Sequence, residues 1–220
     1  MNTRKLTIEL LLINGLNLLY DLANRKPILL GLNYHFKILD LAANLIWLLA
    51  VSYVFATFFE QRFLATVPSI VTRYQTRRQL LGKIMKLAVT VAIIQAGSQS
   101  GLILITLEAP FRLVWQIFAT AGLAWLVILV GFTCLWLEFS SAIAYLSLFI
   151  GYVGCLILGD LFISNGQLGG WTTLLTPQLI NGYRLMALPA GSQLLISSAE
   201  AGLIVGWLLG VIKHYDFLKG

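Results

Sequence analysis

Residues 113–137 decide the fold: they read LVWQIFATAGLAWLVILVGFTCLWL and contain no charged side chain. An α-helix needs about 20 predominantly apolar residues to cross the hydrocarbon core of a bilayer. A membrane-spanning β-strand would instead show about 10 residues in which polar and apolar side chains alternate. The stretch therefore predicts an α-helix that spans a membrane.

Similar stretches recur along the chain. The predicted spans are 6–22, 38–59, 87–107, 113–137, 141–163 and 191–212. The chain has 59% hydrophobic and 11% charged residues, whereas about 25% of the residues in a soluble domain are charged. A chain of 220 residues has too little interior to hide so much apolar surface from water. The predicted fold is all-α: a polytopic membrane helical bundle of about six transmembrane helices, forming a single domain over residues 1–220.

Basic residues indicate the orientation, because cytoplasmic loops carry an excess of lysine and arginine. With a cytoplasmic N-terminus, ten of the fifteen basic residues face the cytoplasm: Arg4, Lys5, Arg62, Arg73, Arg77, Arg78, Lys83, Lys86, Lys213 and Lys219. The other five face outward: Arg25, Lys26, Lys37, Arg112 and Arg184. Both termini are therefore predicted to be cytoplasmic. Because the net charge of +6 is spread over these connections, it indicates membrane lipid and no nucleic acid as a partner.

The connection over residues 60–86 is long, basic and predicted to be cytoplasmic. Pro68 suits the first turn of a helix, and Arg73 and Arg77 are spaced to share one helical face. Two interpretations are open. The segment is either a loop that binds lipid headgroups and fixes the topology, or a docking helix for an acidic cytoplasmic partner.

The connection over residues 164–189 is predicted to be external, yet it is apolar. It contains Trp171 and Tyr183, which are residue types that favour the headgroup region of a membrane. A free aqueous loop would be more polar. The segment therefore predicts short interfacial or re-entrant helices.

An acidic residue closes the second span, and Arg-Tyr-x-x-Arg-Arg and a later lysine lead into the third. The residues that carry this pattern are Glu60, Arg73, Tyr74, Arg77, Arg78 and Lys83. The pattern resembles the permease subunits of type-2 ABC exporters, above all the small bacterial permeases associated with bacteriocin or lantibiotic export and self-immunity. The resemblance implies six spans, cytoplasmic termini, a coupling helix between spans two and three, and external helices between spans five and six.

The same resemblance implies partners and a cellular location. The chain has no Gly-x-x-x-x-Gly-Lys-Ser/Thr phosphate-binding loop, so ATP and Mg²⁺ are expected on a separate cytoplasmic ATPase subunit. A second permease subunit, the same or different, would complete the pathway in the bacterial plasma membrane. The expected cargo is a peptide or an amphiphilic compound. Two alternatives remain: a substrate-binding membrane subunit of a vitamin-type uptake transporter, and a non-transport membrane scaffold.

Catalysis by the chain itself is not expected. The histidines, His35 and His214, are predicted at opposite membrane faces, so they cannot share a metal ion. No Ser-His-Asp set falls on one predicted face. The chain is thus expected to be no enzyme and to hold no cofactor or metal ion.

Small residues repeat every fourth position on two predicted spans. They are Ser198, Gly202, Gly206 and Gly210 on the sixth span, and Gly97 and Gly101 on the third. Such repeats let helices approach closely. Packing within one chain and packing between two subunits both fit the pattern.

Polar residues within the predicted spans form the last group of candidates. Gln95, Gln99 and Glu200 are possible pathway residues, because polar groups inside a membrane usually face protein or water. Access of Glu200 to external water is the alternative for that residue. Glu9 lies one turn from Lys5, which predicts an ion pair.

Overall fold

The computed structural model describes residues 3–24, 38–61, 76–107, 110–164 and 190–214. These ranges contain six helices: α1 (Thr3–Asn24), α2 (Ile38–Phe59), α3 (Thr76–Leu107), α4 (Phe111–Glu138), α5 (Ser141–Ser164) and α6 (Ala190–His214). Each predicted span lies within one of these helices, so the all-α prediction is confirmed. The predicted external helices between α5 and α6 fall outside the described residues.

Helix α3 is longer than its predicted span, and this corrects the boundary at residue 87. It begins at Thr76, so Lys83 and Lys86 belong to the helix and not to a loop. The early part of the helix buries Ile84 and Leu87 while both lysines stay exposed. Arginine, leucine, lysine and methionine also favour helix. The segment 60–86 is therefore partly a helical extension of the third span.

Five helices, α2 to α6, are long and apolar enough to cross a membrane. Their outward surfaces are apolar: the large hydrophobic side chains that α5 exposes include Leu146, Phe149, Ile150 and Leu161. Monomeric soluble proteins rarely expose apolar surface on this scale. These features are those of a multi-pass membrane protein. Helix α1 is less apolar than the other five.

Helix α4 lies at the centre of the bundle. In the most apolar stretch of α4, 61% of the residues are buried, whereas in the most apolar stretch of α5 only 17% are buried. It packs mainly against α3 and α6 and less extensively against α5, while α1 packs against α2 and α3. Two close approaches allow this packing, because a β-carbon added at Gly122 would lie 3.6 Å from Ala96 and one at Gly131 would lie 3.4 Å from Ile204.

A tight turn fixes α4 and α5 as antiparallel neighbours. The Phe139 amide donates to the Leu135 carbonyl at 3.0 Å and ends α4. The Ser140 hydroxyl oxygen accepts the Ile143 amide at 3.3 Å, which is the bond of a helix N-cap. Two residues thus reverse the chain.

An aromatic cluster joins α2, α4 and α5. It consists of Phe55, Phe59, Phe132, Trp136 and Tyr145. The Phe132 ring makes edge contacts with three of the others at centroid distances of 5.0 to 6.3 Å. Such edge-to-face pairs add stability beyond their buried area.

Candidate functional site

A hydrogen-bonded chain of polar side chains crosses the core of the bundle. Asn14 of α1 is 5% exposed, and its Nδ2 donates to the Ser98 hydroxyl of α3 at 2.9 Å. Its Oδ1 accepts the indole Nε1 of Trp47, on α2, at 3.0 Å. One asparagine therefore links three helices through both ends of its amide. Where lipid replaces water, such interhelical bonds hold helices in register.

Aromatic and amide contacts extend this chain to α4 and α5. The Trp47 ring meets the Trp125 ring of α4 edge-on, with centroids 5.3 Å apart. One helical turn before Trp47, the Oδ1 of Asn44 accepts the Tyr152 hydroxyl of α5. We call the set Asn14, Asn44, Trp47, Gln95, Ser98 and Trp125 the polar cluster. Its members lie on α1 to α4, and the Tyr152 contact adds α5.

Gln95 and Gln99, predicted as pathway residues, are fully buried on α3. Gln95 lies one turn before Ser98 and thus belongs to the polar cluster. In the described part of the chain, neither its Nε2 nor its Oε1 has a hydrogen-bond partner. Neither glutamine has accessible surface, so both face the protein interior in this conformation and line no open passage.

Glu200, the third proposed pathway residue, lies elsewhere. It is half-buried on α6. Glu9 behaves as predicted: its Oε1 lies 3.7 Å from the Lys5 Nζ, and the pair is largely exposed. An exposed pair of this kind contributes little stability.

The small-residue repeat of α6 faces away from the bundle. Ser198, Gly202 and Gly206 are exposed and Gly210 is half-buried, and added β-carbons at the three glycines meet no described atom within 4 Å. On α3, a β-carbon added at Gly97 would lie 4.0 Å from the Phe118 ring, whereas one added at Gly101 would meet no described atom within 4 Å. Among the described residues, packing of the α6 repeat within this chain, one of the two interpretations open from the sequence, is thus not observed.

The residues predicted to bind a partner are only partly described. Glu60 is exposed just beyond α2, and Lys83 is exposed on α3. Arg77 and Arg78 occupy the first turn of α3, although their side chains are not described. Arg73 and Tyr74 lie outside the described residues. The basic residues therefore continue directly into a membrane helix.

The polar cluster is chemically neutral, because it consists of amides, a hydroxyl and indoles. It can donate and accept hydrogen bonds, but it offers no group that titrates near neutral pH. In the ranges described, no three histidine, cysteine, aspartate or glutamate side chains come together as metal ligands. The arrangement is therefore suited to joining helices and to binding neutral polar groups.

Of the polar cluster, the sequence singled out Gln95 alone; Asn14, Asn44, Ser98 and the two tryptophans were missed. The asparagines interrupt otherwise apolar runs, and that interruption was the available signal. No family model, curated protein or solved structure matches this chain.

Proposed function

We propose that this chain is a permease subunit of an ATP-driven type-2 ABC exporter in a bacterial plasma membrane. A separate cytoplasmic ATPase binds ATP and Mg²⁺ and contacts the segment from Glu60 to Lys86. A second permease subunit completes the pathway. The cargo is a peptide or an amphiphilic compound.

The continuity of α3 carries this proposal. One unbroken helix runs from Thr76 to Leu107, with the basic residues Arg77, Arg78, Lys83 and Lys86 at its start. About five turns after Arg77, at 3.6 residues per turn, the same helix contributes Gln95 and Ser98 to the polar cluster. A stiff helix with its basic end outside the lipid supports transmission of a partner's movement into the bundle core.

We propose α1 as a sixth span. Its 22 residues extend about 33 Å at 1.5 Å per residue, which exceeds the roughly 30 Å hydrocarbon core. Its polar Asn14 faces the bundle, and the exposed Leu12, Leu16 and Leu19 face outward. The polar side chains that lower its mean hydropathy thus need not meet lipid. With six spans, both ends of the described chain lie on the cytoplasmic side.

Cysteine labelling tests this topology. In a background without Cys134 and Cys155, single cysteines replace Thr3, Phe111 or His214. An impermeant maleimide should label only the cysteine at 111 in intact cells, because α4 begins on the outside. All three should react after permeabilisation. Labelling at position 3 from outside would leave α1 out of the membrane and contradict the six-span arrangement.

Charge reversal tests the partner contact. Changing Arg73, Arg77 or Arg78 singly to Glu should reduce co-purification of the ATPase, because the arginine fork binds carboxylates bidentately. If the arginine forms a buried ion pair with the ATPase, its reversal should weaken the free energy of binding by about 2–5 kcal/mol. The affinity for the ATPase would then fall roughly 30-fold to several-thousand-fold. If the segment binds lipid instead, each basic residue should contribute only about 1 kcal/mol to the free energy of membrane binding, whatever its position.

A matched reversal separates these possibilities. Arg112 is exposed at the start of α4, on the opposite side in the proposed topology, so Arg112→Glu should leave ATPase binding unchanged. The partner used is the ATPase that co-purifies with the parent chain. If all three inner variants retain the ATPase as the parent does, the segment is a topology anchor and the proposed function fails.

A further inference from the structure

Three fully buried members of the polar cluster have hydrogen-bonding atoms without a partner in the described ranges. They are both amide atoms of Gln95, the indole Nε1 of Trp125 and the Nδ2 of Asn44. Leaving such atoms unpaired costs the desolvation penalty of each group. Inside a membrane bundle, bulk water is not available to relieve that cost. Their concentration in one cluster points to a bound molecule that supplies the missing bonds.

The helix contacts place Gln95 and Trp125 at similar levels of the bundle interior. Ser98 bonds to Asn14, Asn14 bonds to Trp47, and the Trp47 ring meets that of Trp125. Gln95 lies one turn from Ser98. The close approach between Ala96 of α3 and Gly122 of α4 sets the two helices in register. Gln95 therefore lies within about one turn of the level of Trp125.

We propose that this region, between α1, α2, α3 and α4, is a water-binding site inside the membrane. The Gln95 amide donates one hydrogen bond and accepts another, and the Trp125 N–H donates a third. About three bonds of this kind are what a buried water molecule makes. A charged ligand does not fit, since the cluster has no charge to compensate one. The site is a property of this chain and does not depend on the proposed ATPase.

Radiolytic hydroxyl-radical footprinting of the full chain in lipid nanodiscs tests the site. Radicals that form at a bound water modify adjacent side chains, which mass spectrometry detects. The reference is Phe55, which is also fully buried but packs in the aromatic cluster. After correction for intrinsic reactivity, labelling of Trp125 should exceed that of Phe55 about tenfold, because a resident water is the radical source.

Two variants assign the water to Gln95. Gln95→Leu should reduce Trp125 labelling severalfold, because two of the bonds to the water are lost. Ser100→Ala is the matched control on α3, since the Ser100 hydroxyl bonds to carbonyls of its own helix, and it should leave the labelling unchanged. If Gln95→Leu does not fold, Trp125→Phe deletes the indole N–H instead, and labelling is read at the adjacent Trp47.

Equal labelling of Trp125 and Phe55 in the parent would show a dry core and overturn the site. Labelling that is high but unaffected by Gln95→Leu, or by Trp125→Phe where that variant is used, would also overturn the assignment. Neither result bears on the arginine segment, so failure here is distinct from failure of the proposed transport function.

Discussion

Under the proposed function, Gly82→Pro should abolish the stimulation of the partner ATPase by this chain while leaving the partner bound. Gly82 lies on α3 between the basic first turn and the polar cluster, is exposed, and has no described atom within 4 Å of an added β-carbon. Proline there removes the amide that bonds to the Arg78 carbonyl, and its ring clashes with that carbonyl. The change costs about 3 kcal/mol or more in a helix interior. The helix should therefore kink, and movement of the arginines should no longer reach Gln95.

Gly82→Ala is the matched control. Alanine fits the same open space and favours helix by about 1 kcal/mol over glycine, so stimulation should equal or exceed that of the parent. The kink itself is measured between spin labels at Gln79 and Leu104, both exposed on α3. In a straight helix they lie about 37 Å apart along the axis. A broadened distance with unchanged ATPase stimulation would refute transmission through α3.

The number and limits of the helices followed from the sequence because lipid makes length and polarity decisive. Helix α2 has the predicted limits, and α4 and α5 match theirs within two residues. Charge misled the prediction of where α3 begins, because Lys83 and Lys86 were assigned to the connection before the third span. Long basic side chains extend from a helix into water while their stems cover apolar surface. A run that contains lysines can therefore continue a membrane helix.

Contacts between helices were beyond the sequence. Asn14 and Ser98 are separated by 84 positions, and no periodicity within one helix relates them. The repeat on α6 was visible, but the direction that it faces was not, because direction depends on which side of α6 meets α4. Gly131, which does face α6, belongs to no such repeat. Helix faces are thus set by contacts with neighbouring helices that a single sequence does not reveal.

Phe132→Ala should produce a large loss of stability for a substitution outside the polar cluster. The Phe132 ring is buried and contacts Phe55, Trp136 and Tyr145. Transfer from water contributes little here, because the separated helices are already in lipid. The substitution leaves a cavity of roughly 100 Å³. At about 24 cal/mol per Å³, this cavity lowers the free energy of unfolding by about 2.4 kcal/mol. The lost edge-to-face pairs add to this, at about 0.5–1.5 kcal/mol each.

The measurement is unfolding of the purified chain in mixed micelles by increasing sodium dodecyl sulfate, followed by tryptophan fluorescence. We expect the free energy of unfolding to fall by about 4–7 kcal/mol. Phe149→Ala is the matched control, because Phe149 on α5 is 42% exposed and faces lipid, so its loss leaves no internal cavity. Phe132→Leu should recover part of the loss, since it refills volume without restoring the ring contacts. Equal effects at positions 132 and 149 would mean that α2, α4 and α5 are not joined by the aromatic cluster.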